Sequence, residues 1–376
     1  MSSYLECRQR VNFADLITFT RATEETGYNA AGNLVTFPAG TPAVPVYDPS
    51  TGEPLGLQVF EQRTNLLLWS NDLTQTGWNK SLGATTVISD VPTIDGVTFA
   101  TRVSGLLGTD GDVGVQRFVS VSPSTSYNGS IYVKGEGANL GKKIQLRIKR
   151  VTGASVVVSK DVVLTDQWQR ADLTITMLAD NTQAQFGITR STDIEANRAD
   201  SCLVCYTQFE QGAFATPVIK TEATTATRNA SVAVINDIDE SEWWNASEGT
   251  FVVEWNEGNN LKSTGILVAG TGGITPSDAY FGLQKRISAN YELTYMSTSS
   301  VGTVVSTGVP VTAGNHTATL RYIGNTVSLS VDGSAEISRT NVKRGQTILF
   351  IGLLLAGGTP LNGHIKSIIY YPSAGV

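Results

Sequence analysis

Histidine is nearly missing from this chain: His316 and His364 are the only two in 376 residues. Ser-His-Asp and Cys-His catalysis need a base placed beside a nucleophile, so His-based chemistry is all but excluded and neither ring is assigned a catalytic role. Each stands at the start of a strand-like stretch, where a solvated or hydrogen-bonded imidazole is the plain reading. Cysteine is scarce too, with Cys7, Cys202 and Cys205, which fits a reducing compartment and predicts no disulfide. Cys202-Leu-Val-Cys205 has the spacing of a redox pair or half a zinc site. It lies, however, in an apparent strand, Ser201 to Phe209, where residues three apart point to opposite faces. No second Cys or His pair completes a metal cage, so both are read as buried structural thiols and Cys7 as incidental.

Charge is low as well. Charged residues make up 16% of the chain, against roughly 25% in ordinary soluble proteins. The formal net charge is −6 with no basic face in view, which excludes nucleic-acid binding through phosphate neutralisation. Long hydrophobic runs are missing: the longest, Ile348 to Ala356, is broken by Gly352 and falls far short of the roughly 18 apolar residues of a membrane span. Met-Ser-Ser-Tyr-Leu-Glu-Cys-Arg at the start lacks the basic residues and apolar stretch of a secretion signal. The chain is therefore expected to be made in a cytoplasm and to insert in no membrane.

What is present is glycine, β-branched residues and turn formers. Together they predict an all-β chain, and its length exceeds what one hydrophobic core usually serves. Residues 1–65 carry dense turn signals, Gly27, Gly32, Pro38, Gly40, Pro42, Pro45, Pro49, Gly52, Pro54 and Gly56, and read as an extended segment. Its apolar points, among them Phe13, Leu16, Ile17, Phe19, Leu34, Val35, Phe37 and Val44, need a surface from the next domain, a sister chain or a larger particle. Gly56 to Trp69 reads as the first full strand and the joint. Over residues 66–229 apolar and polar residues alternate: Ile144, Leu146 and Ile148 face one way, and Lys143, Gln145, Arg147 and Lys149 the other. Short strands between Gly, Asp, Asn and Ser turns predict an antiparallel sandwich, a jelly roll. Residues 230–247 read as a linker with a solvated acidic patch, Asp237, Asp239, Glu240 and Glu242. Residues 248–376 read as a second sandwich whose strands include Gly249 to Trp255, Gly265 to Gly270, Tyr280 to Lys285, Asn290 to Met296, Thr317 to Ile323, Thr326 to Asp332, Thr347 to Leu355 and His364 to Tyr371. Asp332-Gly333 supplies a hairpin turn.

Candidate chemistry is sparse. Glycan hydrolysis needs two carboxylates about 5 to 9 Å apart, but Glu254-Trp-Asn-Glu257 sets its acids on opposite strand faces. Asp110 and Asp112, in Gly108-Thr-Asp-Gly-Asp-Val-Gly114, form a candidate calcium loop short of a third acid; Asp-Gly is above all a turn signal. No other cofactor is expected. Sugar recognition uses exposed rings that stack on C–H faces, and Trp78, Trp243 and Trp244 are the candidates because they sit near turns or in the linker. Trp243-Trp244 reads more readily as a hydrophobic plug between domains than as a sugar platform. Trp69, Trp168 and Trp255 are expected in cores. Arg63, in Glu61-Gln-Arg-Thr-Asn65, is read with Phe13 and Phe19 as part of the joint, pairing with Glu61 or an acid of the arm.

Three stretches resemble known families. Tyr47 to Asn71, with Leu16-Ile-Thr-Phe-Thr-Arg-Ala-Thr23, resembles the N-terminal module of bacteriophage head-spike, head-fibre and tail-fibre proteins. Tyr127-Asn-Gly-Ser-Ile-Tyr-Val-Lys134, Trp168-Gln-Arg170, Gln208-Phe-Glu-Gln-Gly-Ala-Phe-Ala-Thr-Pro217 and Thr227-Arg228 are similar to carbohydrate-binding-type jelly rolls of phage fibres, with Ile131 where Val is usual. Gly249 to Trp255, His316 to Tyr322, Val327 to Gly333 and Leu361 to Tyr371 resemble concanavalin A-like or laminin-G-like sandwiches, with His316 where Trp is usual. The resemblance implies a non-catalytic virion protein, of head or tail, assembled in a bacterial cytoplasm. It implies other virion proteins as partners, a homo-oligomer with a trimer as first expectation, and adhesion to a host-surface glycan. The alternatives are a purely structural virion connector and a surface-polysaccharide depolymerase.

Overall fold

The structure is a computed structural model that describes residues 16–108, 112–258, 263–271, 278–286, 290–299, 301–353 and 359–375. It is all-β, with antiparallel sheets stacked as two sandwiches. No helix among the described residues is long and apolar enough to cross a membrane.

The first sandwich pairs two five-stranded sheets. One runs in the order Val157–Val163, Lys143–Arg150, Gln183–Arg190, Gly114–Ser120 and Asn79–Ser81, and the other Gln169–Thr176, Ser126–Lys134, Cys202–Gln211, Phe99–Ser104 and Thr85–Pro92. Alternation acts here as expected: Ile144, Leu146 and Ile148 are fully buried between the sheets with Phe186, Ile188 and Phe209. The opposite face of Lys143–Arg150 is shielded as well, because Arg147 pairs with Asp112 and Gln145 Nε2 donates to Asp161 at 3.3 Å. Cys202 faces this core, whereas Cys205 packs with Tyr132, Tyr206 and Val218 on the other side of the sheet. Burial without a cation pushes the Cys202 thiol up to about 12 and the Cys205 thiol in the same direction, so neither forms the thiolate that redox or metal chemistry requires.

The second sandwich pairs two seven-stranded sheets, and it is not built from residues 248–376 alone. One sheet runs Thr18–Thr20, Val232–Ile235, Ile348–Ile351, Thr264–Gly270, Phe281–Lys285, Asn290–Met296 and Gly302–Pro310. The other runs Ile337–Arg339, Thr326–Val331, Gly314–Ile323, Glu248–Glu257, Gly363–Tyr371, Pro54–Val59 and Val46–Tyr47. Two expectations change in consequence. The stretch read as a linker contributes Val232–Ile235 as an interior strand between Thr18–Thr20 and Ile348–Ile351, and Ala233, Ile235 and Ile238 are core residues. Only its acidic residues behave as foreseen: Asp237, Asp239, Glu240 and Glu242 are exposed on and beside the turn Ile238–Glu240, whose Ile238 points inward. The segment read as an extended arm supplies strands to both sheets, with Leu57 and Val59 in the same core as Trp255 and Phe251. Asp332 and Gly333 both have positive φ, 49° and 71°, the form of a type I′ hairpin turn.

Between these strands the arm lies on the first sandwich. The hairpin Glu25–Tyr28 with Leu34–Phe37 covers the outer face of the sheet that holds Tyr132 and Cys205. Leu34 packs there against Ile94, Tyr132, Tyr206 and Val218, a burial of about 1.5–3 kcal/mol for that one side chain. Trp168, expected in a core, is half-buried against this layer and donates its indole N–H to the Pro92 carbonyl at 3.2 Å.

Candidate functional site

The arm and the two sandwiches meet at a joint made of the residues that carried the family resemblance. Asn65 is fully buried and uses its whole amide: Nδ2 donates to the Thr207 and Ile219 carbonyls at 3.0 and 2.9 Å, and Oδ1 accepts from the Leu67 and Phe209 N–H groups, both at 3.1 Å. Arg63 pairs with Glu61 and lays its guanidinium 4.9 Å over the Phe214 ring. That stacking demands glycine at 212, where φ is 136° and a Cβ would stand 1.6 Å from Arg63 Nη1. Gly56 is required for a similar reason: a Cβ would lie 2.1 Å from the Ile365 carbonyl oxygen across the sheet. Glu25 of the arm is held between Arg21 at 2.7 Å and Arg228 at 3.7 Å, all three buried. Burial raises the Glu25 carboxyl above its ordinary value while the two guanidiniums oppose it. Arg228 also donates to the Glu61 carbonyl at 2.5 Å and stacks 5.3 Å over Phe60.

Strand Glu25–Tyr28 separates two concavities at this joint. The larger, about 450 Å³, is lined by residues 22–26, Pro38, Ala39, 218–220 and 226–228. Most of its charged groups are committed to holding the joint: Glu25 and Arg228 to each other, and Lys220 to Asp95 at 3.8 Å. The smaller, about 220 Å³, differs in character. Its lining includes Tyr28, Tyr47, Phe60 and His364 as rings and Arg170 and Gln58 as polar groups, with no carboxylate among the described residues. The sheet register explains the convergence. Gln58 pairs with His364, so both leave the sheet on one side, while Leu57, Val59 and Ile365 point into the core.

Each polar group in this cleft has a definite state. Gln58 Nε2 donates to the Thr26 carbonyl at 2.9 Å and fixes the arm. His364 packs edge-on against Phe60 at 5.6 Å, and burial holds its pKa down to about 4, against a weak opposing pull from Asp48. It is thus neutral near pH 7, and its Nδ1 is buried without a hydrogen-bond partner among the described residues. Arg170 comes from the other sandwich; its Nη2 donates to Ser130 Oγ at 2.9 Å and its guanidinium lies 5.7 Å from the Tyr132 ring. Asp172, two residues along the same strand face, accepts from Asn128 Nδ2 at 3.0 Å and sits 3.9 Å from Lys160. No carboxylate of the described residues is within ion-pair distance of Arg170.

The residues expected to bind ligand lie elsewhere. Trp78 is 3% exposed, belongs to the first core and donates its indole N–H to the Leu68 carbonyl at 3.2 Å, so its faces are closed to a sugar. Trp243 and Trp244 pack on the second sandwich, not between the domains. Trp244 stacks on Tyr322 and Tyr370 at 5.2 and 5.6 Å, and Trp243 stands edge-on to Tyr370 at 5.4 Å. Trp69 is half-buried beside the first core, and Trp255 is wholly inside the second. Asp112 is taken by Arg147, Asp110 lies outside the described residues, and no group of three metal-ligating side chains occurs among the described residues. Phe13 and Cys7 also lie outside them; Phe19 packs on the second core with the Arg21 guanidinium 5.3 Å over its ring. Glu254 is exposed and accepts from Ser367 at 3.0 Å, whereas Glu257 is buried against Lys285. His316 is satisfied, with Nδ1 at 2.7 Å from Asp332 and Nε2 at 2.8 Å from the Thr312 carbonyl. Sequence reasoning did not bring the cleft residues Tyr28, Tyr47, Arg170 and His364 together because they lie far apart along the chain; the local hints are that Tyr47, Arg170 and His364 each stand in a stretch that resembles a known family.

No family model and no curated protein matches the chain. Among solved structures, the CBM22-1 xylan-binding domain of Paenibacillus barcinonensis Xyn10C aligns at 14% identity and a TM-score of 0.32, covering 42% of this chain and 99% of its own. The CBM22-1–CBM22-2 tandem of the same Xyn10C aligns at 10% identity and a TM-score of 0.32, covering 84% of this chain and 98% of its own. Domains LG4-5 of the mouse laminin α1 chain align at 8% identity and a TM-score of 0.26, covering 79% and 92% respectively.

Proposed function

We propose that the chain is a bacteriophage virion component, a fibre, spike or decoration protein of head or tail, that contributes to adhesion on host-surface glycans. The virion part is supported by the signature stretch Tyr47 to Asn71, whose Gly56, Arg63 and Asn65 have defined tasks at the joint. The adhesion part rests on one observation: the cleft of about 220 Å³ brings half-buried Tyr28 and Tyr47 and neutral His364 together with Arg170, with no carboxylate among the described residues of its lining. Ring faces beside a few polar groups suit a sugar, and a lining with no acid does not suit two-carboxylate hydrolysis. In this reading the chain is assembled in the host cytoplasm and works as a homo-oligomer, a trimer being the first expectation. Linked copies would raise avidity over single-site affinity by about a hundredfold or more. Binding of labelled host polysaccharide by the assembled protein, without release of reducing ends, is the expected result. Release of reducing ends would instead make the protein a depolymerase.

The connector reading is favoured by a separate observation. The arm hairpin covers an outer sheet face of the first sandwich, with Thr26 Oγ1 donating to the Val218 carbonyl at 2.7 Å, so that face is committed to internal contacts. Absence of any glycan binding by assembled protein is the outcome that selects this reading.

A further inference from the structure

We infer that the smaller cleft takes an acidic sugar, a hexuronate unit of a polysaccharide, with its carboxylate on Arg170; this rests on the adhesion reading above. Among the described residues of the lining Arg170 is the one formally charged side chain, since His364 is neutral near pH 7. A guanidinium has five donors in a planar fork; Ser130 Oγ takes one, the Tyr132 hydroxyl engages another, and the Nε–H is buried, which leaves the remaining Nη–H groups for a ligand. Asp172, the acid two residues along the same face, is engaged by Asn128 and Lys160. The cleft is therefore a cationic spot on a chain whose formal net charge is −6, and a half-buried cation with no carboxylate of the described residues in ion-pair distance favours an anionic ligand.

The remaining groups narrow the anion to a sugar acid. Tyr28 and Tyr47, both half-buried in the lining, supply the aromatic rings on which the C–H groups of a sugar would stack. A phosphate-selective site would call for several converging donors or a backbone nest, whereas a single fork beside rings matches one carboxylate on one sugar ring. A volume of about 220 Å³ has room for a single ring with the rest of the chain running outside.

The test needs no variant to begin. The full chain is titrated calorimetrically with polygalacturonate, alginate and hyaluronan, each beside its carboxyl-reduced neutral product. At least one acidic polymer should bind about tenfold or more tightly than its reduced form, the scale of one charge-assisted pair. The preference should vanish in Arg170→Gln, while Tyr47→Ala should weaken acidic and neutral forms alike. Equal binding of acidic and reduced polymers overturns the inference and leaves the adhesion reading standing. Binding of none of the six, with host polysaccharide still captured, overturns it too; failure to capture host polysaccharide as well removes the adhesion reading itself.

Discussion

The two sandwiches are made of chain in different ways. The strands of the first come from one stretch, Asn79 to Gln211, whereas those of the second come from as far apart as Thr18 and Tyr371. Pro54–Val59 pairs with Gly363–Tyr371, and Thr18–Thr20 with Val232–Ile235. A domain of contiguous chain closes its own core, while one closed by a distant segment needs that segment for both core and sheet edge. The arm is thus a structural part of the second sandwich and a clamp on the first.

The sharpest way to break this contrast is to divide the chain. A fragment of residues 61–229 should melt cooperatively, whereas one of residues 230–376 should lack near-ultraviolet circular dichroism and a cooperative transition. The second fragment loses Leu57 and Val59 from its core and exposes the edge of Gly363–Tyr371. A cooperative melt of residues 230–376 would show that the arm strands are dispensable.

A smaller perturbation cuts the coupling alone. Glu25→Ala leaves Arg21 and Arg228 buried without their shared carboxylate, and removing one partner from a buried ionic cluster costs about 3–5 kcal/mol. Denaturant melts should show the transitions of the two sandwiches separating. Asn65→Ala should cost less, about 1–3 kcal/mol for buried groups left without partners, and should act mainly on the first sandwich, whose Thr207 and Phe209 backbone it anchors.

The mildest contrast is in pH. Both histidines belong to the second sandwich. The His364 pKa falls from 6.5 to about 4 on folding, chiefly by desolvation. Between those values the unfolded chain binds the proton and the folded chain does not, so this group's contribution is present above pH 6.5 and is lost as pH falls toward 4. Melting temperature followed from pH 7 to 4 should decline for the second sandwich, and His364→Gln should reduce that slope without changing the first sandwich's profile. An unchanged slope in the variant would place the titration elsewhere.

Much of this was legible in the residues. Strand Asn290–Met296 was read at its observed limits, and Glu248–Glu257 and Gly363–Tyr371 within a few residues. These strands have clear apolar patterns and turn residues at their ends. Gly302–Pro310 was not foreseen, since it is an edge strand with little buried face. Trp78 stands near a turn yet is buried, because proximity to a turn does not report whether a ring folds inward. Val232–Ile235 looks like linker in the sequence because its four residues are too few for a periodic signal.

By itself the sequence determined the all-β class, the strand alternation, the opposed faces of Cys202 and Cys205, and the signature that encodes the joint. These follow from local rules: side chains alternate along a strand, and glycine goes where a Cβ cannot. Tertiary structure alone decided that the arm completes the second sandwich, that the tryptophans are spent on packing, and that Tyr28, Tyr47, Arg170 and His364 line one cleft. Strand pairing and burial depend on partners hundreds of residues away, and no local pattern carries the identity of a distant partner.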